Sequence, residues 1–124
     1  MRKTIIGLDF QFQICYVCDN LELRNYMHRE RVSENVFWFQ SEVYAQVTAG
    51  VVAGPQWAVV IDTLALPEET MAIREFIEHE LNTPVRYIIN THYHADHTWG
   101  NCFFPGATII SHALCRHLLT QKAV

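Results

Sequence analysis

The chain has 124 residues and no run of the roughly 18 uninterrupted apolar residues that a membrane-spanning helix needs, so a membrane partner is excluded. Basic residues are few: nine Lys and Arg stand against thirteen Asp and Glu, a formal charge of −4. A surface that tracks a phosphate backbone needs the opposite balance, which excludes nucleic acid as a partner. Arg24, His28, Arg29 and Arg31 do cluster, but Glu22, Glu30 and Glu34 are interleaved with them, the pattern of a solvated, self-paired segment. Met1 to Leu8 imitates a basic leader with an apolar follow-on, but Asp9 interrupts it and no small-residue cleavage pattern follows, so no secretory signal is read. There is no repeat, no low-complexity linker and no strand-turn-helix serine nucleophile.

Cysteine is also sparse. Cys15 and Cys18 have the spacing of a redox or zinc pair, yet they sit in an apolar, strand-like run where positions three apart face opposite ways. No second pair follows at zinc-ribbon spacing. Cys102 and Cys115 read as small buried hydrophobes. Reduced thiols of this kind fit a cytoplasmic protein.

Half of the residues are hydrophobic (50%), enough for one compact domain and too few residues for two. Thr4 to Asp19 reads as one or two strands and Asn20 to Arg31 as a polar helix or loop. Val36 to Gln40, Val43 to Val52 and Trp57 to Ile61 read as strands of a meander, with Gly54-Pro55 as a turn. Pro67, followed by Glu68 and Glu69, opens a helix whose Ile73, Phe76, Ile77 and Leu81 recur at helical spacing. Asn82-Thr83-Pro84 stops it. Val85 to Asn90 is then a short apolar strand, so that strand, helix and parallel strand form a crossover unit. Ala107 to Ser111 reads as a last strand, with His112 opening a helix through Leu119. His28 and His79 fall on polar segments and read as surface. Trp99, Phe103 and Phe104 are read as core, with a substrate-pocket wall as the other reading.

The strand ending at Asn90 delivers Thr91-His92-Tyr93-His94-Ala95-Asp96-His97 at its carboxyl end, where open α/β sheets place their sites. In an extended segment, side chains two apart point the same way, so His92 and His94 are expected to grip one ion together. A turn toward helix after His94 would swing Asp96 and His97 to another side, toward a second ion. Imidazole and carboxylate suit zinc, and imidazole also serves iron, copper and nickel.

His92-x-His94-x-Asp96-His97, preceded by an apolar strand and followed by Gly100-Asn101, resembles the signature of the metallo-β-lactamase superfamily. Upstream, residues 49–54 followed by Trp57 to Thr63 are similar to that family's early hairpin, whose second strand ends in an acid. The resemblance covers roughly residues 33 to 120 and leaves residues 1–32 outside. It implies an α/β fold of the α+β sandwich type: half of an αββα sandwich, a mixed sheet with helices on one face, residues 1–124 forming a single partial domain. His92 and His94 then match two ligands of a first metal, and Asp96 and His97 two ligands of a second. Asp62 matches an acid that lies behind the metal loop and orients it. An acid ahead of the helix, as N-cap or in a turn, is the alternative reading of Asp62.

In that family the remaining ligands come from loops well downstream. No Asp or Glu follows Asp96 here, so no bridging acid is supplied by the last twenty-seven residues. Of the later histidines, His112 reads as a structural or near-site residue. A sheet face that expects a second sheet is left open, which implies a truncated form, a natural fragment, or a subunit pairing with a second copy or with a missing C-terminal half. The resemblance implies a hydrolase holding one or two zinc ions, with iron as an alternative. A metal-activated water would attack a small carbonyl-type substrate (thioester, lactam or lactone), and Asp96 would serve as the catalytic group. His97 is similar to thioesterases of the glyoxalase II type. A mono-iron sulfur dioxygenase branch shares the motif. A non-catalytic metal-binding or interaction module is the reading from a different class.

Overall fold

Alternating burial along the inner strands shows how the sheet forms. The computed structural model describes residues 27–122; Cys15, Cys18 and the strand reading over Thr4 to Asp19 lie outside them. Six strands stand side by side in sequence order: β1 (Met27–Ser33), β2 (Val36–Ser41), β3 (Thr48–Ala53), β4 (Ala58–Ile61), β5 (Val85–Asn90) and β6 (Thr108–Ser111). The first four form an antiparallel meander, and β5 and β6 run parallel to their neighbours, giving the mixed sheet expected. Phe37, Phe39, Ala49, Val51, Ala58, Val60 and Ile88 alternate with less buried residues and turn to one face. There they meet Ile73, Phe76 and Ile77, which follow helix α1 (Pro67–Glu75) into the turn beyond it. The Phe76 ring meets Phe37 and Phe39 edge-on at 4.9 and 5.6 Å.

The opposite face stays open. Register aligns Trp38, Gly50, Ile61, Ile89 and Ile110 across the sheet, and Val52, Val59 and Tyr87 beside them. Ile89 and Ile110 are 36% and 47% exposed. No helix among the described residues is long and apolar enough to cross a membrane.

Three elements differ from the sequence reading. Met27 to Arg31 was expected in a polar helix or loop but forms most of β1. Its charges suit an edge strand, where they discourage further pairing, and Arg29 lies over the Phe76 ring at 4.4 Å while its guanidinium meets Glu80 at 3.2 Å. A strand over Val43 to Val52 was expected, but the chain leaves the sheet at Ser41, whose Oγ accepts the N–H groups of Val43 (3.3 Å) and Tyr44 (2.9 Å). Local side-chain bonds of this kind compete with a ladder; Ala45 and Gln46 then take positive φ, and β3 begins only at Thr48. The helix expected through Leu81 is α-helical to Glu75 and ends in one wider π-type turn, Phe76–Glu80. There the Leu81 N–H reaches the Phe76 carbonyl at 3.0 Å, and left-handed Asn82 closes it.

Helix α1 buries one acid. Glu69 is 2% exposed, and neither carboxylate oxygen has a hydrogen-bond partner of good geometry among the described residues. Burial pushes its carboxyl above the usual carboxylate range, the Ser41 hydroxyl offsets part of this, and the Glu68 charge adds to it. A folded-state pKa above the unfolded one means that stability is fully present below the unfolded value and is lost as pH rises through the folded one. Glu69→Gln, which mimics the protonated acid, is therefore expected to stabilise the fold at pH 7 by about 1–2 kcal/mol, the scale of a buried unsatisfied group. The gain should vanish below about pH 4, as urea unfolding at both pH values would show.

Candidate metal centre

Parallel pairing of β4 with β5 brings two strand ends together, and the polar residues beyond them build the site. β4 ends at Ile61, and the next residue, Asp62, donates its N–H to the Ile89 carbonyl at 2.9 Å, as though the ladder continued. Asp62 then turns into the left-handed region (φ 57), which aspartate tolerates better than most residues. That turn aims its buried carboxylate at the segment leaving β5. Oδ1 accepts the Thr91 N–H at 2.9 Å; Oδ2 accepts the Thr91 hydroxyl at 2.6 Å and meets His97 Nδ1 at 2.9 Å.

Those contacts set two imidazoles. A carboxylate only accepts, so the His97 proton resides on Nδ1. The Thr91 hydroxyl spends its proton on Asp62 and therefore accepts from His92 Nδ1, 2.9 Å away. The hydrogen-bond network thus assigns both rings the tautomer whose Nε2 carries a free lone pair. His92 and His97 lie with ring centroids 4.0 Å apart.

His94 has an extended backbone and begins α2 (Ala95–Thr98), the turn into helix that the sequence suggested. Its carbonyl accepts the His97 N–H at 3.0 Å and the Thr98 hydroxyl at 3.1 Å. The exposed His94 ring stands edge-on to His92 with centroids 4.9 Å apart. Asp96, partly exposed in the first turn of α2, brings Oδ2 to 3.7 Å from His97 Nε2. His92 is thus nearer to His97 than to His94, its expected partner on the first ion.

Ligand atoms of Asp62, His92 and His97 all lie within 4.8 Å of one another, the one such group among the described residues. Two donors each about 2 Å from a shared zinc stand at most about 4 Å apart, so this spacing is slightly wider than that of two donors to one ion. The donor chemistry of three imidazoles and Asp96 fits a first-row metal. Within that group the Asp62 oxygens already accept from Thr91 and His97. The N-cap reading of Asp62 is corrected: Leu66 occupies the N-cap of α1, without a side-chain bond.

The floor of the site went unread in the sequence. The Trp99–Phe103 segment, a 3₁₀ turn, follows α2 and packs against α1. Its Asn101 bonds Asn90 and Thr63, and both of those also donate to the His97 carbonyl. The one signal was Asn90, a polar residue ending an apolar strand. Trp99, expected in the core, is 67% exposed, whereas Phe104 is buried. Cys102 is exposed and Cys115 buried, so the small-hydrophobe reading holds for Cys115 alone. His112 Nδ1 accepts the Leu114 N–H at 3.1 Å and so caps helix α3 (Ala113–Lys122). A groove of about 590 Å³ between β1 and α1 is lined by none of the motif residues.

Comparison with known proteins agrees with this geometry. The profile of the Metallo-beta-lactamase superfamily matches residues 44–122. Among solved structures, the metallo-beta-lactamase FIM-1 from Pseudomonas aeruginosa in its mono-zinc form is similar over 79% of this chain and 47% of its own, at 18% identity and a TM-score of 0.67. The metallo beta lactamase from Hirschia baltica matches over 79% of this chain and 48% of its own, at 18% identity and a TM-score of 0.69. The one from Pontibacter korlensis matches over 78% and 48%, at 23% identity and a TM-score of 0.66. The chain therefore spans just under half the length of these structures, and the likeness is one of fold.

Proposed function

The chain belongs to the metallo-beta-lactamase superfamily, and from that membership we propose that it is the metal-holding part of a zinc-dependent hydrolase of small carbonyl-type substrates (thioesters, lactams or lactones). The observation that carries this reading is the single carboxylate of Asp62, which engages Nδ1 of His97 directly and Nδ1 of His92 through Thr91, leaving Nε2 as the donor nitrogen of two rings whose centroids lie 4.0 Å apart. His92, His94, Asp96 and His97 are the proposed ligands. A divalent ion held there supplies Lewis acidity, enough to lower the pKa of water to about 7. Asp96 stands beside His97 Nε2 with part of its side chain open to solvent, placed to orient an attacking oxygen and to receive its proton. Asp62, which already accepts from Thr91 and His97, keeps the rings in register.

The open apolar face belongs to the same proposal: a second sheet, from a C-terminal half or from a second copy, covers it and brings the outstanding ligands. The free thiols of Cys102 and Cys115 suit a cytoplasmic setting.

Zinc titration combined with hydrolysis of a generic thioester and a generic lactam tests the reading. Asp96→Asn is expected to lower turnover on the order of 100-fold while shifting unfolding by no more than about 0.5 kcal/mol, as for other substitutions away from the core. Zinc uptake without turnover of either substrate would favour a non-catalytic metal-binding module. Activity with ferrous iron alone would favour the dioxygenase branch.

A further inference from the structure

Below the His92–His97 turn lies a part-buried polar pair whose members are eleven residues apart in sequence. Asn101 Nδ2 donates to Asn90 Oδ1 at 2.8 Å, and Asn90 Nδ2 donates back to Asn101 Oδ1 at 3.1 Å, closing an amide ring. Asn90 is 3% exposed. Its Nδ2 also donates to the His97 carbonyl at 3.2 Å. From the end of β4, the Thr63 N–H reaches the same carbonyl at 3.1 Å, and the Thr63 hydroxyl lies between it (3.3 Å) and Asn101 Oδ1 (3.1 Å). Flipping the Asn90 amide would set carbonyl oxygen against carbonyl oxygen, so the orientation is dictated.

His97 is thus held at two points from the same pair of strand ends, its ring by Asp62 and its carbonyl by Thr63 and Asn90. Two anchors on one residue determine where Nε2 stands. A carbonyl in the last turn of a four-residue helix has no helical partner of its own, and a polar interior in low dielectric makes a satisfied network rigid.

We propose that the Asn90–Asn101 clasp is a positioning device for the metal centre: by holding the His97 carbonyl it sets the place of the His97 ring, and through that ring the affinity for the ion. Only the affinity clause rests on the hydrolase reading. Asn90 and Asn101 touch no ligand atom, so both are positioning residues.

The test uses the whole 124-residue chain. In the metal-free protein, nitrogen-15 spectra record the His97 ring Nδ1–H bonded to Asp62; zinc affinity is read by competition with a chromophoric chelator. Asn101→Ala is expected to weaken or erase the slowly exchanging ring N–H and to reduce zinc affinity 10- to 100-fold, the usual effect of losing an outer partner of a ligand. Ile77→Val, a core change remote from the site, controls for loss of stability and should leave the ring signal intact and affinity within about twofold. If Asn101→Ala does not fold, Thr63→Val removes only the hydroxyl donated to the clasp and should move both readings in the same direction. An unchanged ring signal, or an affinity no lower than the Ile77→Val control, overturns the proposal. A wild-type chain that binds no zinc overturns the hydrolase reading and the affinity clause, and the ring signal still decides whether the clasp positions His97.

Discussion

Asp62→Asn is expected to leave the chain folded and to lower zinc affinity at least 10- to 100-fold, while Asp62→Ala loses the same affinity and about 2–4 kcal/mol of stability. The carboxylate accepts from three donors on two residues, Thr91 N–H, Thr91 Oγ1–H and His97 Nδ1–H. Alanine leaves the Thr91 amide and the His97 ring without a partner, and both neighbours lose their anchor. Asparagine keeps the volume and one acceptor, but its NH₂ must face a donor whichever way it turns. With the NH₂ on the His97 side, the least costly response is for His97 to move its proton to Nε2, which makes Nδ1 an acceptor and stops Nε2 from ligating. The same change disturbs Thr91 and, through it, His92. Competition titration and urea unfolding of the two variants separate these effects. An Asp62→Asn chain that binds zinc like the wild type would refute the assignment of the tautomers to Asp62.

This dependence also explains what the sequence could and could not reveal. Val85 to Asn90 was legible as a strand because an apolar, β-branched run follows a proline, and its bounds match β5. Pro67 with Glu68 and Glu69 marked the start of α1 for an equally local reason. The spacing of Ile73, Phe76, Ile77 and Leu81 fits a regular helix and one with a wider last turn alike, so the π-type ending left no trace in the pattern. Pairing His92 with His94 assumed an extended backbone, whose period of two stops applying where the strand ends, at Asn90. Beyond it the chain turns into α2 and brings the His97 ring nearer to His92 than the His94 ring is. The task of Asp62 was undecidable locally, because it depends on β4 lying parallel to β5. Thr63, Asn90 and Asn101 each look like ordinary strand-end or turn residues. Only the fold gathers Thr63 and Asn90 on the His97 carbonyl, with Asn101 bonded to both.

Gly100 offers the sharpest test of that gathering. It lies in the 3₁₀ turn between the metal motif and Asn101, and its φ is not in the left-handed region, so glycine is not required there for conformation. On helix propensity alone, Gly100→Ala would stabilise by up to about 1 kcal/mol. A Cβ at this position, however, would run into the Thr63 carbonyl oxygen and lie 2.5 Å from Thr70 Oγ1 and 2.7 Å from Thr70 Cγ2. Neither neighbour can give way cheaply. The Thr63 carbonyl belongs to the fully buried segment after β4 and accepts the Thr70 hydroxyl, which also reaches the Leu66 carbonyl at 3.2 Å in the first turn of α1. Steric cost should therefore outweigh propensity, and Gly100→Ala is expected to destabilise by about 3 kcal/mol, the upper range for overpacking a tight interior. Relief can come only by lifting the 3₁₀ turn, which draws Asn101 from Asn90 and slackens the hold on His97, so zinc affinity should fall along with stability. Urea unfolding and zinc competition on this one variant check both consequences. A neutral or stabilising substitution would show that the turn does not pack this closely against Thr63 and Thr70, and would remove the physical basis for a rigid floor under the metal donors.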